Sequence, residues 1–324
     1  MQKTILGGTG VHVSALCFGT MTFGGDSDTS TSKAVFSRCM DAGINFYDCA
    51  SNYAGGRSEE ILGDLIENLR HELVISTKFA SQSYKDPNLR AASRRSLIET
   101  VEKSLRRLHT DYIDIFFVHR SDWETDLEET VRALDDLVRQ GKILYPAASN
   151  WPAWRVMKAI AIAEREGRTP IRVLQPMYNL LKRQAESELL PLAQSERLGV
   201  IPFGPIAGGL LSGKYAGGAK PDVGRLLTNP RYQDRYKDPI TAEAIERYLA
   251  FAKAQGYHPV SLAVAWVAAN PAVSSPIIGA RTPEQLEDSL ASLDIEMTPD
   301  LWKEISDLAV PAPLPTDRPD DVRP

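Results

Sequence analysis

Gly43-Ile-Asn-Phe-Tyr-Asp48-Cys-Ala-Ser-Asn-Tyr53 is a short apolar, partly aromatic run that closes on a carboxylate, and a helix-forming stretch, Ser58–Leu69, follows it. A brief strand ending on a polar group, then a turn, then an amphipathic helix is the unit of a parallel β/α fold. The same grammar recurs on both sides. Strands are predicted at Ser14–Gly19, Ile44–Asp48, Leu73–Lys78, Ile113–His119, Ile143–Ser149, Val173–Gln175, Val200–Phe203 and Val273–Ile278, which makes eight. Helices are predicted between them at Ser93–Leu108, Leu127–Gln140, Ala153–Glu166 and Ser187–Leu198. In Leu127–Gln140, for example, Leu127, Val131, Leu134, Leu137 and Val138 share one face, while Glu128, Glu129, Arg132, Asp135 and Arg139 face away, and Gly141 stops the helix.

A length of 324 residues with 43% hydrophobic and 24% charged content suits one large α/β barrel or two smaller domains. With no linker or composition break, the reading is a single (β/α)8 TIM barrel over residues 1–310, with a Pro-rich tail at 311–324. Gly7-Gly8-Thr9-Gly10 lacks the G-x-G-x-x-G spacing and no helix follows, so it reads as the turn of an N-terminal β-hairpin. Extra helices are expected towards the C-terminus. Gly208–Pro239 is too long for an ordinary barrel connection and is a candidate lid. Pro146 inside the fifth strand removes an amide donor and predicts a local irregularity.

The formal net charge of −5 leaves no basic footprint, so a small-molecule partner is expected rather than nucleic acid or a membrane surface. Three cysteines without C-x-x-C spacing, and an N-terminus without an apolar signal core, point to a reduced, cytoplasmic setting. Nothing in the sequence implies an oligomeric state. No His, Asp or Glu cluster has metal-ligand spacing, and no G-x-S-x-G elbow is present.

In such a barrel, polar residues that end strands face the C-terminal mouth. Asp48, Lys78, His119 and Gln175 end strands, and Asn150 follows one. Any one of them can be a turn cap or a satisfied core group. Asp, Lys and His closing three consecutive strands make a poor structural coincidence, because each is costly in an apolar interior unless paired or functional. Tyr53 lies on the loop after Asp48, within reach of the mouth. A neighbouring Lys78 ammonium favours the phenolate and brings the phenol towards use as an acid, with Asp48 holding the lysine charged. His119 is then placed to hydrogen-bond a carbonyl oxygen or the phenol. This set suits protonation of an oxyanion after hydride attack on a carbonyl. Cys49 reads as packing.

These residues resemble the aldo-keto reductase superfamily over nearly the whole chain. The likeness is carried by Gly43–Tyr53, by Gly55-Gly-Arg-Ser-Glu-Glu-Ile-Leu-Gly63, by Lys78 in Ile75-Ser-Thr-Lys-Phe and by His119 in Asp111-Tyr-Ile-Asp-Ile-Phe-Phe-Val-His-Arg. The resemblance implies a catalytic tetrad of Asp48, Tyr53, Lys78 and His119, with Tyr53 as acid in reduction and base in oxidation. It implies NADPH or NADP+ as cofactor, with NADH possible. Ser149, Asn150 and Gln175 map onto the nicotinamide carboxamide site, Phe203 onto the stacking aromatic, and Gly19-Thr20-Met21 onto a contact near the ribose. Gly204, Pro205, Ile206, Gly208, Leu210 and Lys214, together with Gly279, Arg281, Gln285, Asp288 and Ser289, complete the implied cofactor contacts.

Gly279 and Gln285 stand where many members carry a lysine and an arginine for the 2′-phosphate. Arg281 is the candidate replacement, or else a surface arginine paired with Glu284 or Glu287. Gln175–Asn179, Gly208–Tyr215 and Gly279–Gln285 are similar to bacterial members and to potassium-channel β subunits. Carbonyl reduction therefore stands beside three alternatives: an alcohol or sugar dehydrogenase, a cofactor-binding regulatory subunit, and a barrel hydrolase or isomerase.

Overall fold

Two antiparallel strands, β1 (Lys3–Ile5) and β2 (His12–Ser14), open the chain as the expected hairpin, with Leu6 N–H donating to Val11 C=O across the turn. The structure, a computed structural model, describes residues 1–79, 86–219, 224–228 and 230–316. β3 (Cys17–Gly19), α1 (Thr29–Asp41), β4 (Phe46–Asp48), α2 (Arg57–Ile66), β5 (Val74–Phe79), α3 (Arg94–Arg107) and β6 (Ile113–Val118) follow. Then come α4 (Leu127–Arg139), β7 (Ile143–Ser149), α5 (Ala153–Arg165), β8 (Val173–Gln175), α6 (Leu189–Ser195) and β9 (Gly199–Val200). The short α7 (Arg225–Thr228) and α8 (Pro230–Arg235), the longer α9 (Pro239–Ala254) and α10 (Pro259–Ala268), β10 (Ile277–Ile278), α11 (Pro283–Leu290) and α12 (Pro299–Ser306) complete the chain.

Strands β3 to β10 form one parallel eight-stranded sheet in the order β10-β3-β4-β5-β6-β7-β8-β9. It closes on itself through a bridge between Phe203 and Ile277 and through the donors Ser274 N to Val200 O and Ile277 N to Pro202 O. This is the (β/α)8 architecture the sequence predicts.

The predicted last two strands are longer than those observed. Pro202 and Pro276 lack the amides a continued ladder needs, so only two residues in each of β9 and β10 pair regularly. Pro146, by contrast, causes no irregularity: β7 is unbroken, and Pro146 pairs with Phe116. Its carbonyl faces β8 and accepts from Arg172 N at 2.9 Å, so the missing amide lies on that same edge, just before the β7–β8 ladder begins at Ala147 and Val173. No ladder bond is lost.

Side chains of alternating parity divide the core. Leu6, Val13, Cys17, Phe46, Val74, Ile115, Phe117, Ala147, Val173 and Ile201 fill the barrel, and the hairpin's Leu6 is fully buried. Phe18, Tyr47, Cys49, Ile75, Phe116, Ala148, Leu174 and Ile278 point out into the layer under the helices. α4 shows that layer's logic, with Leu127, Val131, Leu134 and Leu137 inward. Asp135, expected to face solvent, is instead buried: it accepts from Thr169 N and Thr169 Oγ1 and pairs with Arg139. The helix thereby holds the loop that enters β8.

The candidate lid is folded in its described parts. Short helical turns at Ala207–Ser212 and Ala216–Gly218 precede α7 and α8, and Tyr236 is buried with its hydroxyl bonded by Asn179 Nδ2 at 3.2 Å. Residues 220–223 and 229 of that segment, and 317–324 of the tail, lie outside the described residues. Residues 311–316 form no helix or strand. No described helix is long and apolar enough to cross a membrane.

Candidate active site

The inward parity of each strand leads to one layer at the C-terminal mouth. Cys17 leads to Gly19, Phe46 to Asp48, Val74 and Ser76 to Lys78, Ile115 and Phe117 to His119, Ala147 to Ser149, Val173 to Gln175, and Ile201 to Phe203. Apolar barrel filling thus gives way to polar groups at the ends of β4 to β8, while β3 leads to Gly19 and β9 to Phe203.

Asp48 and Lys78 are the centre. Lys78 is fully buried and its Nζ has three partners: Asp48 Oδ2 at 2.6 Å, the Cys49 carbonyl at 2.6 Å and Tyr53 Oη at 3.3 Å. Its three N–H donors are therefore spent. Asp48 Oδ1 accepts from Ser76 Oγ at 2.7 Å and Gln175 Nε2 at 2.9 Å. Burial alone opposes the ammonium, but the Asp48 carboxylate and then the Tyr53 oxygen outweigh it and hold Lys78 well above its ordinary value.

Tyr53 sits on a turn, Tyr53–Gly56, in which Ala54, Gly55 and Gly56 all take positive φ (47, 68 and 102°) before α2 begins. Two glycines make that reversal affordable and set the phenol over the mouth. From outside, Arg107 of α3 donates to the Ser51 carbonyl at 3.2 Å and to the fully buried Glu59 of α2 at 3.1 Å, while Glu59 also accepts from Thr77 at 2.6 Å. Burial pushes the Tyr53 phenol up, and the Lys78 charge only partly offsets it. This corrects the expectation of a phenol drawn down by its lysine. Tyr53 and His119 meet edge to face, their ring centroids 6.4 Å apart. Burial first, then the Lys78 and Arg120 charges, holds His119 down at about 3, so its imidazole is neutral.

The remaining expected residues ring this centre. Ser149 Oγ donates to the Gln175 carbonyl, and Asn150, exposed and at φ 57°, donates from Nδ2 to the His119 carbonyl at 2.9 Å and to Ser149 Oγ. Thr20 is buried and ties to Asp48 O and Ser58 rather than facing the mouth, whereas Met21 is exposed. Phe203, Gly204 and Ile206 are half-buried, Pro205 and Leu210 are buried, and Gly208 packs beside Tyr232. The Lys214 side chain is exposed along Tyr215.

After β10, Gly279 is open, and Arg281 N donates to Gln285 Oε1. The Arg281 guanidinium pairs with Asp26 at 2.9 Å, not with Glu284 or Glu287; Glu287 is taken by Arg38. Asp288 lies 3.7 Å from His258, and Ser289 is buried with its carbonyl bonded by Ser292. The structure brings the four-residue centre together and sets Ser149, Gln175, Phe203, Gly279 and Gly19 at the ends of β7, β8, β9, β10 and β3, one continuous arc of the barrel, whereas Thr20 turns away and Ser289 is buried in α11. Reading the sequence missed Ser76, Glu59 and Arg107. Ser76 shares inward parity with Lys78 and was findable; the other two become visible only when α2 and α3 pack.

Comparison with known proteins identifies the family. The family model for the aldo/keto reductase family matches residues 15–310. A probable voltage-gated potassium channel subunit beta from Oryza sativa subsp. japonica is 36% identical, covering 98% of this chain and 99% of that protein. An uncharacterized oxidoreductase of Bacillus subtilis (strain 168) is 35% identical over 95% of this chain and 96% of its own length. An aryl-alcohol dehydrogenase of Pestalotiopsis microspora is 32% identical over 91% and 78%. The chain belongs to the aldo/keto reductase family.

Proposed function

We propose that this protein is an NADP(H)-dependent reductase of a small aldehyde or ketone, with Tyr53 as proton donor. The observation that carries the reading is the saturated lysine: Lys78 donates to Tyr53 Oη, so the phenol's own proton is directed elsewhere, towards an oxygen at the mouth. Burial keeps the phenol protonated until that oxygen acquires charge. Once the proton leaves, the phenolate lies against an ammonium that Asp48 holds in place. Neutral His119 offers a hydrogen bond at the same point without adding a competing charge. In oxidation the same phenolate takes the proton back.

A nicotinamide fits the arc beside this centre, where it would supply the hydride. Asn150 keeps an exposed amide, Gln175 is fixed through its nitrogen on Asp48, and Phe203 presents a half-buried ring. The exposed Gly279 beside Gly19 leads into α11, whose first turn is capped by Thr282. This reading carries a cytoplasmic setting with it. The name of the Oryza sativa relative favours a second reading, a cofactor-binding regulatory subunit, and turnover decides between them. The test is Tyr53→Phe assayed against a panel of aldehydes and keto sugars. Carbonyl reduction should fall by about 10²-fold or more while NADPH binding, read by its fluorescence, is nearly unchanged. Undiminished turnover in the variant would overturn the mechanism, and a wild type that binds NADPH but reduces nothing would favour the regulatory subunit.

A further inference from the structure

Trp123 and Trp154 are the most exposed large hydrophobic side chains among the described residues, at 67% and 56%. Isolated exposed indoles are unremarkable, but these two touch, with ring centroids 6.0 Å apart and planes inclined by 35°. They also follow site residues closely: Trp123 stands on a loop four positions after His119, and Trp154 in the first turn of α5, four after Asn150. The Asn150–His119 hydrogen bond ties those two segments together.

Beneath them lies Arg155, only 7% exposed, with its guanidinium 4.6 Å from the Trp123 ring and 5.2 Å from the Trp151 ring. It donates from Nη2 to the Asp122 carbonyl, and among the described residues no carboxylate lies at ion-pair distance. The Asp122 carboxylate is occupied instead by Ala92 N and Glu124 N. Among the described residues, Arg155 Nε and Trp151 Nε1, both buried, have no hydrogen-bond partner. The Asp122 charge acts on this buried guanidinium without a direct ion pair, and the aromatic faces that hold it fix the Trp123 loop.

We propose that Trp123 and Trp154 form a distal substrate subsite at the rim between β6 and β7, built to take a planar aromatic ring, so that the physiological substrate is an aryl aldehyde or ketone. The proposal rests on the reductase reading above for its chemistry, but not for its binding. An aryl ring stacking on the indoles gains affinity that a flexible aliphatic chain of similar size does not.

The experiment compares 4-methoxybenzaldehyde with hexanal as substrates of the full-length protein with NADPH, for wild type, Trp123→Ala, Trp154→Ala and Trp123→Phe. Each alanine variant should raise KM for the aryl aldehyde about fivefold while leaving kcat and hexanal KM unchanged, and Trp123→Phe should restore most of the loss. Equal losses for both aldehydes, or none for either, would overturn the subsite. Calorimetric binding of the unreactive 4-methoxybenzamide to the NADP+-loaded protein separates this idea from the reductase reading. Binding weakened in both alanine variants supports the subsite even if turnover is absent, and undiminished binding sinks it whatever the activity.

Discussion

At His119 and Arg281, single side chains carry distinct tests. His119 is held neutral, at about 3, by burial and by the Lys78 and Arg120 charges. Reduction measured between pH 5 and 8 should therefore show no inflection near the ordinary histidine value; a limb there would mean that the imidazole is charged in the working site. The sign for stability follows. The unfolded chain binds a proton at this residue below about 6.5 and the folded one does not until about 3, so the contribution is complete above 6.5 and declines as pH falls. Acid unfolding of His119→Asn should begin at lower pH than in wild type. At Arg281 the pair with Asp26 is partly exposed and weakly held, so a phosphate can displace the carboxylate. Arg281→Ala should raise KM for NADPH roughly tenfold with little change for NADH, and Asp26→Asn should lower it. Parallel losses for both cofactors would assign Arg281 to loop shape instead.

The unit that presents Tyr53 is the β4–α2 connection, and α3 clamps it. Gly63 of α2 lies where α3 ends: a Cβ there would sit 2.3 Å from the Arg107 carbonyl and 2.9 Å from Leu108 Cα. Gly63→Ala must push two helices apart and should cost about 1–3 kcal/mol, read as a fall in Tm. Arg107→Met leaves Glu59 buried without its cation, for a loss of about 3 kcal/mol. Because Arg107 also holds the Ser51 carbonyl, it is a positioning residue, and kcat should fall while NADPH binding is retained, with partial rescue in Arg107→Lys. Unchanged kcat in a stably folded Arg107→Met would show that the Tyr53 turn holds its own shape.

For the whole molecule, the hairpin closes the end of the barrel opposite the site. Leu6 is fully buried within the interior column, and Gly8 N donates to the Arg197 carbonyl at 2.6 Å, joining the hairpin to the loop before β9. Leu6→Ala should destabilise the protein by about 2–5 kcal/mol in denaturant unfolding while leaving KM for NADPH unchanged, since the cavity opens far from the mouth. A loss below about 1 kcal/mol would mean that the hairpin rests on the barrel without plugging it.

Periodicity is local, so the eight β/α units and the strand-end layer could be read from residue order: inward parity carries Phe46 to Asp48 and Val74 to Lys78 whatever the helices do. The polar endings of consecutive strands then had nowhere to go but the mouth. Partner choice is not local. Asp48 receives Gln175 across 127 positions, Arg281 takes Asp26 in preference to the glutamates of the α11 that follows it, and Asp135 turns inward to hold Thr169. Spacing along α4 counted Asp135 as solvent-facing, because only the packed loop supplies its donors. The Tyr53 phenol makes the same point: its neighbours were legible, but whether charge or burial prevails depends on how much water the folded walls exclude. Residue order determined which chemistry meets at the mouth; the tertiary structure decided who bonds whom there, because desolvation and hydrogen-bond partners exist only once distant segments are in contact.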